Sequence, residues 1–185
     1  DTGRFSYQNV NPTCFIHAAE TVEAGAEPNL IAREFFQSRS LPSLRLEQLM
    51  LSRMMFFCGG AFVCSYLKDA DFEEQGAIRD DAEILIDILR GIAGVRVALI
   101  LKENGNGEIR GSLRAKDETD VAQIASDFGG GGHKAAAGLT YHKSLADALI
   151  EVPTDVIETC FPEDAEAEVE RLCILIRSLR EELDD

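Results

Sequence analysis

The sequence contains no tryptophan, only seven per cent aromatic residues and five prolines, and no apolar run of membrane-spanning length. A bilayer-crossing helix needs about 20 consecutive apolar residues, so that class is excluded. Scarce aromatics argue against a stacking platform for long single strands. Basic residues are also short. The 18 Lys and Arg face 33 Asp and Glu, a net charge of −15. Broad electrostatic capture of a nucleic-acid backbone needs the opposite balance. The five cysteines (Cys14, Cys58, Cys64, Cys160 and Cys173) form no C-x-x-C pair, which leaves no zinc ribbon and no dithiol redox motif. Odd in number and set among apolar residues, they predict reduced, buried thiols and a cytoplasmic location. No basic-then-apolar signal segment opens the sequence.

With 185 residues, 45% hydrophobic and 28% charged, the chain can bury the core of one domain, or of one domain and part of another. It opens on Asp1, in sequence with the character of mid-domain material, which predicts a piece of a longer protein. Helices are expected over 12–24, where Pro12 sits in the first turn and Gly25 ends the segment, and after Pro28. Over 41–57 the apolar spacing of Leu44, Leu46, Leu49, Met50, Met54 and Phe57 predicts a connecting helix. "AFVCSYL" reads as a strand. "DADFEEQGA" and "RDDAEILIDILRGIAG" read as helices, the second ending at Gly94. "VRVALILKE" and "EIRGSLRAK" flank "NGNG", a strong hairpin signal. "DVAQIASDF" predicts an amphipathic helix, "AAAGLTYH" a strand, and "SLADALIEVPTDVIETC" a helix despite Pro153. A last helix stripes Val169, Leu172, Cys173, Ile176, Leu179 and Leu183 along one side. That stripe fits docking on the chain's own core, and a homodimer seam is the alternative.

Charge is unevenly placed. Residues 162–185 hold nine acids and three bases, whereas 101–143 hold six of each. The neutral window contains "DFGGGGHKAAAGL", four glycines closed by one of three histidines. Consecutive glycines admit positive φ and let amide groups converge on an anion. A helix beginning near His133 would aim its N-terminus at the same place, and His133 could donate to a phosphate oxygen. Alone, such a run also reads as a loop or hinge, and it is no Walker A sequence, because His133 occupies the place of the glycine before Lys134. On the second hairpin strand, alternation sets Arg110, Ser112 and Arg114 on one face. By itself that stripe reads as a solvated edge face, and the glycine run supplies the context for a site. Lys134 reads as a solvated side chain.

Three segments together carry a family resemblance. "FGGGGHKAAAG" resembles the G-G-G-H-x-x-A-A-G signature of the DHH-associated domain, the second domain of DHH-type phosphoesterases. "RGSLRAK" resembles that domain's R-x-S-L-R-S strand, with Ala115 replacing the second serine. "DTGRFSYQNVNP" is similar to the last motif of the catalytic DHH domain, D-T-G-x-F. The resemblance covers residues 1 to about 150 and is closest to the RecJ-like branch of nano-RNases and phosphoadenosine-phosphate phosphatases.

The resemblance implies an α/β fold, a mixed β-sheet flanked by helices, preceded by the helical end of the catalytic domain. Residues 1–40 would be the remnant of that catalytic domain, 41–57 the connecting helix, 58–160 the substrate-binding associated domain and 161–185 an acidic helix. It further implies a hydrolase with two Mn²⁺ ions, which clamp the attacking and leaving oxygens of a phosphoester. Of the family's ligand motifs only Asp1 matches, so the two-metal site would be incomplete here and the chain alone inactive. Arg114, Gly130, Gly131, Gly132 and His133 would hold a phosphate or terminal nucleotide of a short oligonucleotide or nucleotide substrate. Ser112 and Arg110 are secondary candidates. The competing readings are a nucleic-acid-binding module and an exopolyphosphatase-like hydrolase.

Overall fold

The computed structural model describes residues 2–5 and 9–184. The chain divides into two compact units, residues 1–40 and 41–185.

The first unit holds helices α1 (Pro12–Glu23) and α2 (Pro28–Phe36). Asn11 starts α1 by accepting hydrogen bonds from the Thr13 and Cys14 amides, with Pro12 in the first turn, where no amide is needed. Phe5 stacks on Phe15 at 4.8 Å between ring centroids, and the Arg4 guanidinium lies 4.7 Å from the Phe36 centroid. Neither helix buries a residue fully.

The second unit is a six-stranded mixed sheet covered by helices on both faces. Its strands are β1 (Met55–Phe57), β2 (Phe62–Leu67), β3 (Val97–Glu103), β4 (Ile109–Ala115), β5 (Gly131–His133) and β6 (Ala136–Tyr141), in the spatial order β1-β2-β3-β4-β6-β5. Only β2 and β3 run parallel. The chain between them supplies α4 (Asp69–Gln75), a 3-10 turn (Arg79–Ala82) and α5 (Leu85–Gly91), the crossover that a parallel pair requires. The expected single helix over 79–94 is thus divided and ends at Gly91.

The remaining helices are α3 (Leu41–Ser52), α6 (Val121–Asp127), α7 (Leu145–Cys160) and α8 (Ala165–Asp184). α3 is shorter than the apolar spacing predicts. It ends at Ser52, and Met55–Phe57 pair antiparallel with β2 instead. Ser65, fully buried on β2, donates to the Met50 carbonyl at 2.7 Å and ties α3 to the sheet.

Alternation along the strands sorts side chains into two cores. Val97, Leu99 and Leu101 of β3 join Leu113 and Leu139 against α6, α7 and α8. Ala98 and Ile100 turn the other way, with Val63 and Leu67, to meet Leu46, Met50, Leu85 and Leu89. Each such aliphatic side chain contributes about 1.5–3 kcal/mol on full burial. The acidic last helix docks on this unit: Leu172, Ile176 and Leu183 are buried, and Val169 and Leu179 pack beside them. Cys58 and Cys64 are buried as expected, and burial lifts their thiols to about 11 and about 12. Cys14, Cys160 and Cys173 are only half-buried.

Candidate functional site

The turn after β3 is closed by the Asn104 amide donating to the Glu108 carbonyl at 3.0 Å, with Gly105 and Gly107 at positive φ. It fixes the register Lys102↔Arg110, Ile100↔Ser112 and Ala98↔Arg114. Arg110, Ser112 and Arg114 then share a face of β4, exposed or half-buried, while Ile109, Gly111, Leu113 and Ala115 are buried on the other. Directly opposed residues of an antiparallel pair point to the same side. Across β6 and β5 the pairing continues as Arg114↔Ala136↔His133 and Ser112↔Gly138↔Gly131. Arg114 and His133 therefore lie in one row, two strand spacings (about 10 Å) apart, with only a methyl group between them.

Helix α5 packs on β3 and β4, and the helix-side core it belongs to draws no residue from β4, β5 or β6. The result is a step: a floor of small residues (Ala136, Gly138, Gly131) beside a helical wall. Arg114, a quarter exposed, faces that wall with its Nε 3.7 Å from an Asp87 carboxylate oxygen, while Asp87 also pairs with Arg90 at 3.2 Å. Arg110 donates to the Thr140 hydroxyl at 2.8 Å. Of the three histidines, His17 and His142 sit beside Glu20 and Glu108. His133 is exposed and, among the described residues, has no carboxylate partner. Lys134 pairs with Glu118 at 2.7 Å.

Two expectations about the glycines are corrected. No helix begins at His133: residues 131–133 form the edge strand β5, paired with β6. Nor do all four glycines serve an exposed amide cradle. Gly129, at φ 69°, follows the end of α6 in the left-handed region. The Gly130 amide donates to the Ala125 carbonyl at 2.8 Å, and a Cβ there would stand 2.1 Å from the Gly138 carbonyl oxygen. At Gly132, φ is 150° and a Cβ would come within 2.6 Å of the Ala136 oxygen. These three are required by the fold. Gly131 has no such demand, because a Cβ there meets nothing within 4 Å and its φ is ordinary. It keeps the floor bare, on the strand at the edge of the sheet.

A residue not singled out from the sequence belongs to this face. Lys102, half-buried and opposite Arg110, points to the same side. Burial lowers its pKa, Glu83 partly restores it, and Arg114 and Arg79 lower it further. Its signal lay in the hairpin register, which the five residues between Glu103 and Ile109 determine.

Asp1, the expected metal ligand, lies outside the described residues. Among the described residues no group of three or more His, Cys, Asp or Glu is placed to hold a metal ion, so they do not accommodate a Mn²⁺ pair. Two concavities, of about 210 and 460 Å³, lie elsewhere. Asp69, Glu103 and Glu108 with Lys143 line the first, and Asp117, Glu118 and Asp120 with Arg96 the second, so carboxylates outnumber cations in both.

Fold and face together define a mixed α/β domain with an open sheet surface where guanidinium, hydroxyl, imidazole and bare backbone can meet an anion. Residues 59–159 match the DHHA1 domain, and the chain belongs to that family. It is 31% identical over 140 residues to the bifunctional oligoribonuclease and PAP phosphatase NrnA of Thermus thermophilus, which covers 76% of this chain and 41% of that protein. Against the NrnA of Mycoplasma genitalium the identity is 24% over 159 residues, 85% of this chain and 48% of the relative. The chain thus spans less than half the length of these curated relatives. An exopolyphosphatase-related protein from Bacteroides fragilis superposes with a TM-score of 0.76 at 24% identity, over 95% of this chain and 48% of that one. That likeness establishes the mixed-sheet architecture. No helix among the described residues is long and apolar enough to cross a membrane.

Proposed function

We propose that this chain is the substrate-gripping part of a metal-dependent phosphoesterase that hydrolyses short oligoribonucleotides or nucleoside bisphosphates. The observation that carries the reading is the row Arg114↔Ala136↔His133, which sets a guanidinium and an imidazole across an uncluttered floor. Arg114 binds a phosphate oxygen through charge-assisted hydrogen bonds. His133 donates to the same group or stacks on the adjoining base. Ser112 and Arg110 extend the grip along β4, and Gly131 lets the ligand approach the backbone. The metals, two Mn²⁺ ions, would be held mainly by parts of the intact enzyme beyond this unit, with Asp1 contributing one carboxylate. When bound they supply an activated water and charge neutralisation. The residues described here hold and orient the phosphate.

The acidic exterior fits this role. A negative surface disfavours long polyanions, while a local cationic row accepts a short one. The reading also expects a cytoplasmic protein that acts on nucleotide phosphates, with homodimerisation compatible but not required.

The test has two arms. The purified 185-residue chain should bind adenosine 5′-monophosphate or a short oligoadenylate, with Arg114→Ala and His133→Ala each weakening binding by about 1.5–3 kcal/mol, roughly 10- to 150-fold. In the intact enzyme the same variants should lower kcat/KM by a similar factor. The chain alone should show no Mn²⁺-dependent turnover. Unaltered binding in both variants removes the proposed grip. Tight, salt-steep binding of long single-stranded RNA would favour a nucleic-acid-binding module instead.

A further inference from the structure

Helix α5 turns Leu85, Ile86 and Leu89 into the core and leaves Asp87 and Arg90, three residues apart, together on a side that solvent reaches. Arg114, reaching over from β4, ends at the same place. One oxygen of Asp87, Oδ1, lies 3.2 Å from an Arg90 nitrogen and 3.7 Å from Arg114 Nε. The two guanidiniums are therefore no farther apart at these atoms than those distances laid end to end. The corner is tied from both sides: α5 packs on β4, and Lys116, just past β4, donates to the Ile92 carbonyl at the end of α5 at 2.6 Å. Neither contact to Asp87 is short. A charge-assisted N–H···O bond settles at about 2.7–2.9 Å, so the shared oxygen meets neither cation at full strength. Among the described residues, Arg114 makes one hydrogen bond, to the neighbouring Leu113 carbonyl at 2.9 Å. Two positive charges around one negative leave the corner cationic.

We propose that Arg90 is a second anion-binding residue, and that Arg90 and Arg114 clasp one phosphate group of the ligand at the position their shared carboxylate now occupies. This rests on the anion-grip reading above and adds to it a residue from the helical wall. A phosphate group carries oxygens in several directions, so it can meet two guanidiniums at once, each through an oxygen of its own. Asp87 is exposed and has water to turn into as the phosphate enters. The phosphate then lies against the wall, and the rest of the nucleotide extends over Ala136 toward His133.

The experiment titrates the 185-residue chain with adenosine 5′-monophosphate. Arg90→Met should weaken binding about 10-fold or more, the loss of one charge-assisted hydrogen bond, and should do so equally in an Asp87→Asn background. That background separates contact from positioning. If Arg90 only draws Asp87 away from Arg114, its removal costs nothing once the carboxylate is gone, and the proposal is overturned. Arg90→Lys, which keeps the charge without the planar fork, should lose less than Arg90→Met. Normal binding by Arg90→Met beside impaired binding by Arg114→Ala would overturn the clasp and leave the grip of Arg114 standing. If neither variant alters binding, or the unmodified chain binds nothing, both readings fall. Should Arg90→Met unfold, Arg90→Gln supplies the same comparison.

Discussion

The four glycines of 129–132 can be separated by adding a single methyl group to each of three. At Gly130 a Cβ would lie 2.1 Å from a backbone oxygen and 2.7 Å from the Leu139 Cα, neither of which is the yielding end of a side chain. At Gly132 the backbone is at φ 150° and the nearest atoms are again main chain, at 2.6 and 2.7 Å. Overpacking of this kind costs about 1–3 kcal/mol, and the upper figure corresponds to about 6–12 °C in Tm for a domain of this size. Gly131→Ala meets nothing within 4 Å. Its stability should be unchanged or raised by about 0.4–1 kcal/mol, because alanine restricts the unfolded chain. The methyl group would nevertheless stand on the floor, at the β5 end of the Ser112 row and two residues from His133, where the proposed ligand approaches. Denaturant midpoints measured beside adenosine 5′-monophosphate titrations should therefore split the series. Gly130→Ala and Gly132→Ala lose stability, whereas Gly131→Ala keeps it and binds at least several-fold more weakly. A Gly131→Ala protein that binds normally would refute the assignment of the floor. One that unfolds as readily as Gly130→Ala would refute the geometric reasoning itself.

Two further outcomes follow from ion pairs near and away from the face. Asp87→Asn removes the carboxylate that competes with ligand for Arg114. The pair is long at 3.7 Å and Asp87 is 43% exposed, so the gain should be modest, about 0.2–1 kcal/mol or up to roughly 5-fold tighter binding. Unchanged or weaker binding would show that Asp87 orients Arg114 rather than opposing the ligand. At Asp117, burial favours the neutral acid, but hydrogen bonds from Thr119 and from Arg96, the latter at 2.6 Å, hold its pKa at about 2, below the ordinary 3.8. A depressed carboxyl stabilises the fold above its unfolded pKa and loses that contribution as pH falls toward about 2. Asp117 is one-third exposed, so solvent screening reduces the contribution to about 1 kcal/mol. Asp117→Asn should be less stable by that amount at neutral pH and should show a shallower loss of stability between about pH 4 and 2. Parallel acid-denaturation profiles would contradict this.

What the sequence disclosed depended on how local the cause was. The β3–β4 hairpin was legible because "NGNG" and the alternation of "EIRGSLRAK" are contained in a few residues. The strand at Met55–Phe57 was hidden, since its apolar residues continue the helical spacing of Leu46 and Met50, and only pairing with β2 decides against a helix. Gly131–His133 carry no strand propensity at all. β6 imposes that conformation, a tertiary override of local preference. The nearness of Arg114 and His133 is likewise a product of register across a third strand. Family likeness suggested their association, whereas no spacing along the chain could. The side of Lys102 is not legible in "VALILK", which reads as a uniformly buried run until the partner strand sets its register.

The brevity of β5 has a protective consequence. A sheet normally ends in a row of open donors and acceptors that can recruit a foreign strand and seed aggregates. Here the terminal strand spans three residues, two of them without side chains, so an intruding peptide would find too short a ladder and no pockets to fill. Economy of length alone thus guards this edge against polymerisation.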